Sequence, residues 1–215
     1  MKIFMVLAFL ISSVCVADEA EYVHFPTQDG GVVYADYYLK GKPAIVLAHG
    51  AIFNRKRWAP LIEALQQQNI SVLAIDFRGY GDSKADNLFD KPKDILAAVA
   101  YLKRQVHYPV MVLGASMGGA AAGEAAVKAS AGDIQKLILL SPAPFSGIEQ
   151  LKTDLLVIAS EKEPMIAMIK RLYKQASEPK KLVLLKGRAH AQHIFKTNEK
   201  EHLIQTIIDF VHDDR

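Results

Sequence analysis

From residue 22 onward, short apolar runs alternate with longer stretches whose apolar residues recur at helical spacing. Residues 22–26 and 32–39 read as two strands around the Asp29-Gly30-Gly31 turn, a hairpin pattern. Residues 44–48, Ala-Ile-Val-Leu-Ala, are apolar without a break, as in a strand buried on both faces, and 71–77 reads the same way. Trp58, Leu61, Ile62 and Leu65 fall three and four apart, which predicts a helix over 58–68. Further helices are predicted over 94–104, 117–129, 165–175 and 201–212, and further strands over 110–113, 137–140, 155–159 and 182–185.

Strands alternating with helices imply an α/β fold. The expected architecture is an eight-stranded, mostly parallel sheet with an N-terminal antiparallel hairpin and helices on both faces. There is no internal repeat and no linker, so residues 18–215 read as one domain. In such sheets ligands bind beyond the carboxyl ends of the strands, which directs attention to polar residues just after the apolar runs.

Residues 1–17 are a separate object. Lys2 gives a positive start, residues 3–14 are apolar apart from Ser12 and Ser13, and Ala17 ends the segment on a small residue before Asp18. This reads as a signal peptide of an exported protein, periplasmic or secreted. The apolar run is short of the roughly 20 residues that span a bilayer, so no stable membrane insertion is expected once it is removed. Cys15, the single cysteine, would leave with it, and a cysteine nucleophile or thiolate metal site is then excluded.

Composition bounds the partners. The 215 residues are 51% hydrophobic and 23% charged, with a formal net charge of +3, enough for one sizeable core. The basic residues are spread out, unlike those of a nucleic-acid binder. Their one cluster, Arg55-Lys56-Arg57, reads as a solvated loop face or as a positive rim that attracts anionic substrates.

The strongest chemical signal follows the strand 110–113. Gly114-Ala115-Ser116-Met117-Gly118-Gly119 places a serine between glycines at a strand-to-helix turn, with small residues that let helix and strand pack closely. The free N–H groups of the helix N-terminus would face an anion forming there. A serine nucleophile needs a base, and the base needs an acid to fix its tautomer. His190 and His193 follow the last strand; His190, shortly after Gly187, is favoured as the base. The strand 155–159 runs into Ser160-Glu161-Lys162-Glu163-Pro164, where Glu163 is favoured as the acid over Glu161, with Glu149 a further candidate. Neither histidine has companions at metal-binding spacing, and no phosphate-binding loop fits, so no metal and no cofactor are expected.

The order Ser116, Glu163, His190 resembles that of the α/β-hydrolases. The resemblance extends to Ala48-His49-Gly50-Ala51, similar to the family's His-Gly loop, to the segment from Asp76 to Ser83, similar to its Asp-x-Arg-Gly-x-Gly-x-Ser turn, and to Ser141-Pro142. It implies an oxyanion hole made by the backbone N–H groups of Ala51 and Met117, with His49 ordering its loop and Asp76 and Arg78 tying down theirs. The family commonly has Gly and Asp where this chain has Ser160 and Glu163. Many relatives insert a helical cap before the seventh strand; residues 141–154 are too few for one, so an open site is expected. Its candidate walls are Phe53, Trp58, Phe89, Phe145, Met165 and Met168, each equally compatible with core packing.

The expected function is hydrolysis of a small carboxylic ester or thioester through an acyl-enzyme on Ser116. The alternatives are a peptidase or cofactor-free perhydrolase using the same residues, or an inactive binding protein with this fold.

Overall fold

The computed structural model describes residues 19–213; the expected signal peptide over residues 1–17 lies outside them. Eight strands form one sheet: β1 (Glu21–Pro26), β2 (Val32–Tyr38), β3 (Ala44–Ala48), β4 (Ser71–Ile75), β5 (Val110–Ala115), β6 (Lys136–Leu140), β7 (Asp154–Ser160) and β8 (Lys180–Leu185). Their spatial order is β1-β2-β4-β3-β5-β6-β7-β8. β2 pairs antiparallel with both β1 and β4, and every other pairing is parallel. The helices are α1 (Ala59–Gln67), α2 (Pro92–Gln105), α3 (Met117–Lys128), α4 (Ile166–Gln175) and α5 (Lys200–His212). Short 3-10 turns cover Arg55–Trp58, Ile148–Gln150 and Ala191–Lys196.

The continuous apolar runs have the cause anticipated for them. In β3, β4, β5 and β6 every residue is buried, because helices cover both faces. Successive side chains point to opposite faces, and the core divides accordingly. Ala44, Val46 and Ala48 of β3 join Val112, Leu137 and Val157 under α2, α3 and α4. Ile45 and Leu47 join Leu113, Ile138 and Ile158 under α1 and α5. The edge strand β1, covered on one face only, alternates exposed and buried residues along 23–26.

Several element ends differ from the sequence reading. The predicted helix over 58–68 is a 3-10 turn ending at Trp58, followed by α1, whose second residue is Pro60. Proline fits the first turn of a helix, where its missing N–H is not needed. β4 stops at Ile75 rather than Phe77: the Asp76 N–H still donates to Tyr34 O of β2 at 2.9 Å, but the Phe77 N–H turns to His49.

The chain runs from β3 to β4 on one side and returns to β5 on the other, so the strand order reverses between β3 and β5. The loops leaving β3 and β5 therefore diverge and open a crevice at their carboxyl ends. No cap covers it: residues 141–153, between β6 and β7, hold only the short turn at Ile148–Gln150.

Candidate active site

Ser116 stands between the last residue of β5 and the first of α3, with φ 53° and ψ −115°. That conformation is strained for a residue with a side chain and persists only where the surroundings enforce it. Here they do so through close approach. A Cβ on Gly114 would lie 2.2 Å from the carbonyl oxygen of Gly118, and one on Gly118 would lie 2.4 Å from that of Ala48. Helix and strands can meet so tightly only through glycine, and the chain between them is bent to fit. The Ser116 N–H donates to Leu140 O at 3.0 Å, and its carbonyl accepts from Ala120 and Ala143.

Four loops bring partners to this serine. The loop after β8 turns at Gly187, φ 99°, and delivers His190. His190 Nε2 lies 2.9 Å from Ser116 Oγ, and His190 Nδ1 lies 2.5 Å from Glu163 Oε2. A carboxylate only accepts, so Nδ1 carries the proton and Nε2 is left to accept from the serine hydroxyl. Glu163, on the loop after β7, is 1% exposed. Its other oxygen, Oε1, accepts from Ser141 Oγ at 2.8 Å and from the Ser160 N–H at 3.1 Å. The longer side chain of glutamate is thus fixed at both oxygens. Ser141, after β6 and itself at φ 46°, also accepts the Ala191 N–H at 3.1 Å, joining the acid's loop to that of the histidine.

The other sequence candidates stand elsewhere. His193 packs its ring edgewise on Phe53 at 5.1 Å. The Glu161 carboxylate faces Lys162 at 3.9 Å, and that of Glu149 accepts from Gln150 at 3.4 Å on the surface.

The loop after β3 supplies the facing wall. His49 is fully buried; its Nδ1 donates to Gly50 O at 2.8 Å and its Nε2 accepts the Phe77 N–H at 3.2 Å. Only the neutral ring can do both, and burial pushes its pKa below the ordinary value. Gly50 packs against the serine, for a Cβ placed on it would lie 3.4 Å from Ser116 Cβ. The next N–H, that of Ala51, and the N–H of Met117 in the first turn of α3 donate to no group among the described residues. Both flank Ser116 in sequence or in space. A hydroxyl paired with an oriented imidazole, beside unspent N–H donors at a helix N-terminus, can attack an electrophilic carbon and stabilise the oxyanion that forms.

Two contributors escaped the sequence reading. Ser141 was visible only as part of a Ser-Pro pair. Gln192, fully buried, accepts the Gly50 N–H at 2.8 Å through Oε1, while its Nε2 has no acceptor among the described residues. Nothing local marks it, for the turn Ala191–Lys196 also carries the polar His193 and Lys196.

The surrounding segment from Asp76 to Ser83 is held by charge. Asp76 takes the Arg55 N–H at 2.7 Å and pairs with the Arg55 guanidinium. Arg78, buried, pairs with Asp94 at 2.7 Å and Asp29 at 2.9 Å. Of the expected walls, Phe53 does line a cleft beside Ala51. Trp58 does not: it is fully buried against Phe195, because the turn at Arg55–Trp58 aims it into the core with α1. Phe89 is 90% exposed, and Phe145, Met165 and Met168 pack on the core under α3 and α4.

Comparison with known proteins agrees with this architecture. A family model described as Serine aminopeptidase, S33 matches residues 40–148, more than half of the chain. Mouse protein phosphatase methylesterase 1 is 33% identical over 86 residues, covering 37% of this chain and 22% of that protein. The AB hydrolase superfamily protein YisY of Bacillus subtilis is 29% identical over 123 residues, covering 56% of this chain and 45% of its own. The chain thus spans less than half the length of these curated relatives. Among solved structures, the Pyrococcus furiosus esterase Pf2001 superposes with a TM-score of 0.76 at 19% identity, covering 90% of this chain and 92% of the other. A family match over half the chain and an eight-stranded sheet of this order make it a member of the serine aminopeptidase S33 family of α/β-hydrolases.

Proposed function

We propose that the protein is a serine hydrolase that cleaves a small carboxylic ester or thioester through an acyl-enzyme on Ser116. The observation that carries this reading is the unbroken hydrogen-bonded line from Glu163 through His190 to Ser116 Oγ.

In this reading Ser116 Oγ attacks the carbonyl carbon while His190 Nε2 takes its proton. The carbonyl oxygen becomes an oxyanion held by the N–H groups of Ala51 and Met117. Glu163, fixed by Ser141 and Ser160, stabilises the imidazolium. The intermediate collapses, the bond to the leaving oxygen or sulfur breaks, and His190 protonates that group as it departs. Water then attacks the acyl-enzyme with His190 again as base, and the carboxylic acid leaves with Ser116 restored.

Esterase neighbours of the same fold and a methylesterase relative favour ester chemistry. The family description supports a second reading, an aminopeptidase acting on amides through the same residues. An ester series graded by acyl length, matched thioesters and aminoacyl amides, assayed beside Ser116→Ala and His190→Ala, separates the two. Turnover of esters that both variants abolish is expected, and turnover confined to amides would replace the first reading with the second. A fluorophosphonate that labels the parent chain and not Ser116→Ala tests the nucleophile directly.

Export belongs to the same proposal, on the sequence of residues 1–17. Its test is the N-terminal sequence of the protein recovered from cells, expected to begin at Asp18.

A further inference from the structure

Beside the candidate site, a cleft of about 470 Å³ opens between the loop after β3 and Tyr80. Ala51, Phe53, Lys56, Arg57 and Tyr80 line it, together with Ile52, Asn54 and Gly81, and no carboxylate is among them. It adjoins the proposed oxyanion loop through Ala51. Ala51 carries one of the unspent N–H groups, Gly50 before it packs on Ser116, and the Tyr80 hydroxyl rests on Met117 Sδ at 3.7 Å.

The three residues of the basic cluster Arg55-Lys56-Arg57, of which the last two line the cleft, are not equivalent. Arg55 is spent on Asp36, at 2.8 Å, and on Asp76. Lys56 faces Asp36 at 3.2 Å. Arg57 has no anionic partner among the described residues, and none of its side-chain N–H groups has a protein acceptor. Its Nε is enclosed and has no hydrogen-bond partner among the described residues. Its guanidinium is held over the Phe53 ring, 5.4 Å from the centroid, and Phe53 is braced in turn by His193. A cation held in place by an aromatic face, with its donors unused, is built to meet an anion; the planar fork suits a carboxylate.

We propose that this cleft receives a carboxylate carried by the substrate, and that Arg57 selects for it. The inference rests on the esterase reading above and names the class of ester: one whose acyl chain ends in an anionic group. Phe53 packs on the methylenes between the two ends, and Lys56 adds positive charge at the rim.

The test compares para-nitrophenyl half-esters of succinate, glutarate and adipate with neutral para-nitrophenyl esters of the same chain lengths. The readout is the ratio of kcat/KM for the anionic ester to that for its neutral counterpart, which cancels general losses of activity. The ratio should favour the anion in the parent chain at one of these lengths. It should fall about tenfold or more in Arg57→Gln, the loss expected for a charge-assisted contact, and less in Arg57→Lys. A ratio that Arg57→Gln leaves unchanged at every length overturns the proposal, even if both rates drop.

Failure of the underlying reading has a different appearance: no ester of either kind is turned over in a Ser116-dependent way. For that case binding replaces turnover. Calorimetric titration of Ser116→Ala with the monomethyl esters of the same diacids should give saturable binding that Arg57→Gln removes. Absence of binding, or binding indifferent to Arg57, overturns the assignment of the cleft.

Discussion

Gln192 Oε1 accepts the N–H of Gly50 at 2.8 Å, across 142 residues of chain. The first belongs to the turn that follows His190 and the second to the loop that ends in Ala51, so one amide fixes the base's loop against the proposed oxyanion loop. Gln192→Leu keeps the bulk and leaves a buried N–H unpaired, at a cost of about 1–3 kcal/mol. The unfolding midpoint should drop by roughly 3–10 °C. The proposed role also calls for a fall of about tenfold in kcat with a smaller change in KM, since the displaced Ala51 N–H would act on the transition state. An unchanged kcat would mean that Gln192 is only packing.

Glu163 is fixed at both oxygens, whereas Glu161 faces only Lys162. Glu163→Gln should reduce kcat by about a thousandfold, because an amide nitrogen beside Nδ1 favours the wrong imidazole tautomer. Glu161→Gln should be close to the parent. Equal effects of the two on ester turnover would remove Glu163 from its proposed role.

The strain at Ser116 separates stability from activity. Glycine adopts the observed φ of 53° without a steric penalty, so Ser116→Gly should abolish hydrolysis while stabilising the fold. The gain is about 1 kcal/mol once the greater freedom of the unfolded glycine is set against the relief of strain. Chemical denaturation of both chains measures it, and a less stable Ser116→Gly would deny that the backbone is strained there.

His49 makes stability depend on pH with a defined sign. Its folded pKa is lowered by burial, so below the unfolded value of about 6.5 the unfolded chain takes up a proton that the folded one refuses. Stability is therefore full above about pH 6.5 and declines as pH falls toward the folded value. Denaturation midpoints taken from about pH 7.5 down to about pH 5 should show this slope, and His49→Gln should flatten it. A slope that survives His49→Gln belongs to other groups.

Particular elements explain what could be read in advance. The central strands were legible because burial on both faces demands unbroken apolar runs. Their ends were less so. Gly114 and Ala115 look like turn residues, yet both pair with β6. Phe77 looks like strand, yet its N–H goes to His49. Trp58 has the right spacing for a helix and the size for a pocket wall; its turn buries it in the core. In each case a tertiary partner outweighed a local preference.

The candidate site divides in the same way. Ser116, His190 and Glu163 could be named from sequence because each follows a strand, and a parallel sheet gathers strand ends on one edge. The sequence favours Glu163 over Glu161 without fixing the choice, since the two differ only in where the loop turns. Ser141 and Gln192 had no local signature, because a hydrogen bond between distant loops leaves no periodic trace.

By itself, then, the sequence determined the sheet, the helices and the edge on which chemistry would gather, since these follow from the spacing of apolar residues and from glycines where backbones must touch. Only the tertiary structure decided the pairings. It joined Glu163 rather than Glu161 to His190, tied Gln192 to Gly50, and left Arg57 without an anion among the described residues while its two neighbours found theirs. Burial patterns are written along the chain one residue at a time. The partner of a charge or a hydrogen-bonding group depends on how loops far apart in sequence meet in space, and that is settled only when the whole sheet has closed.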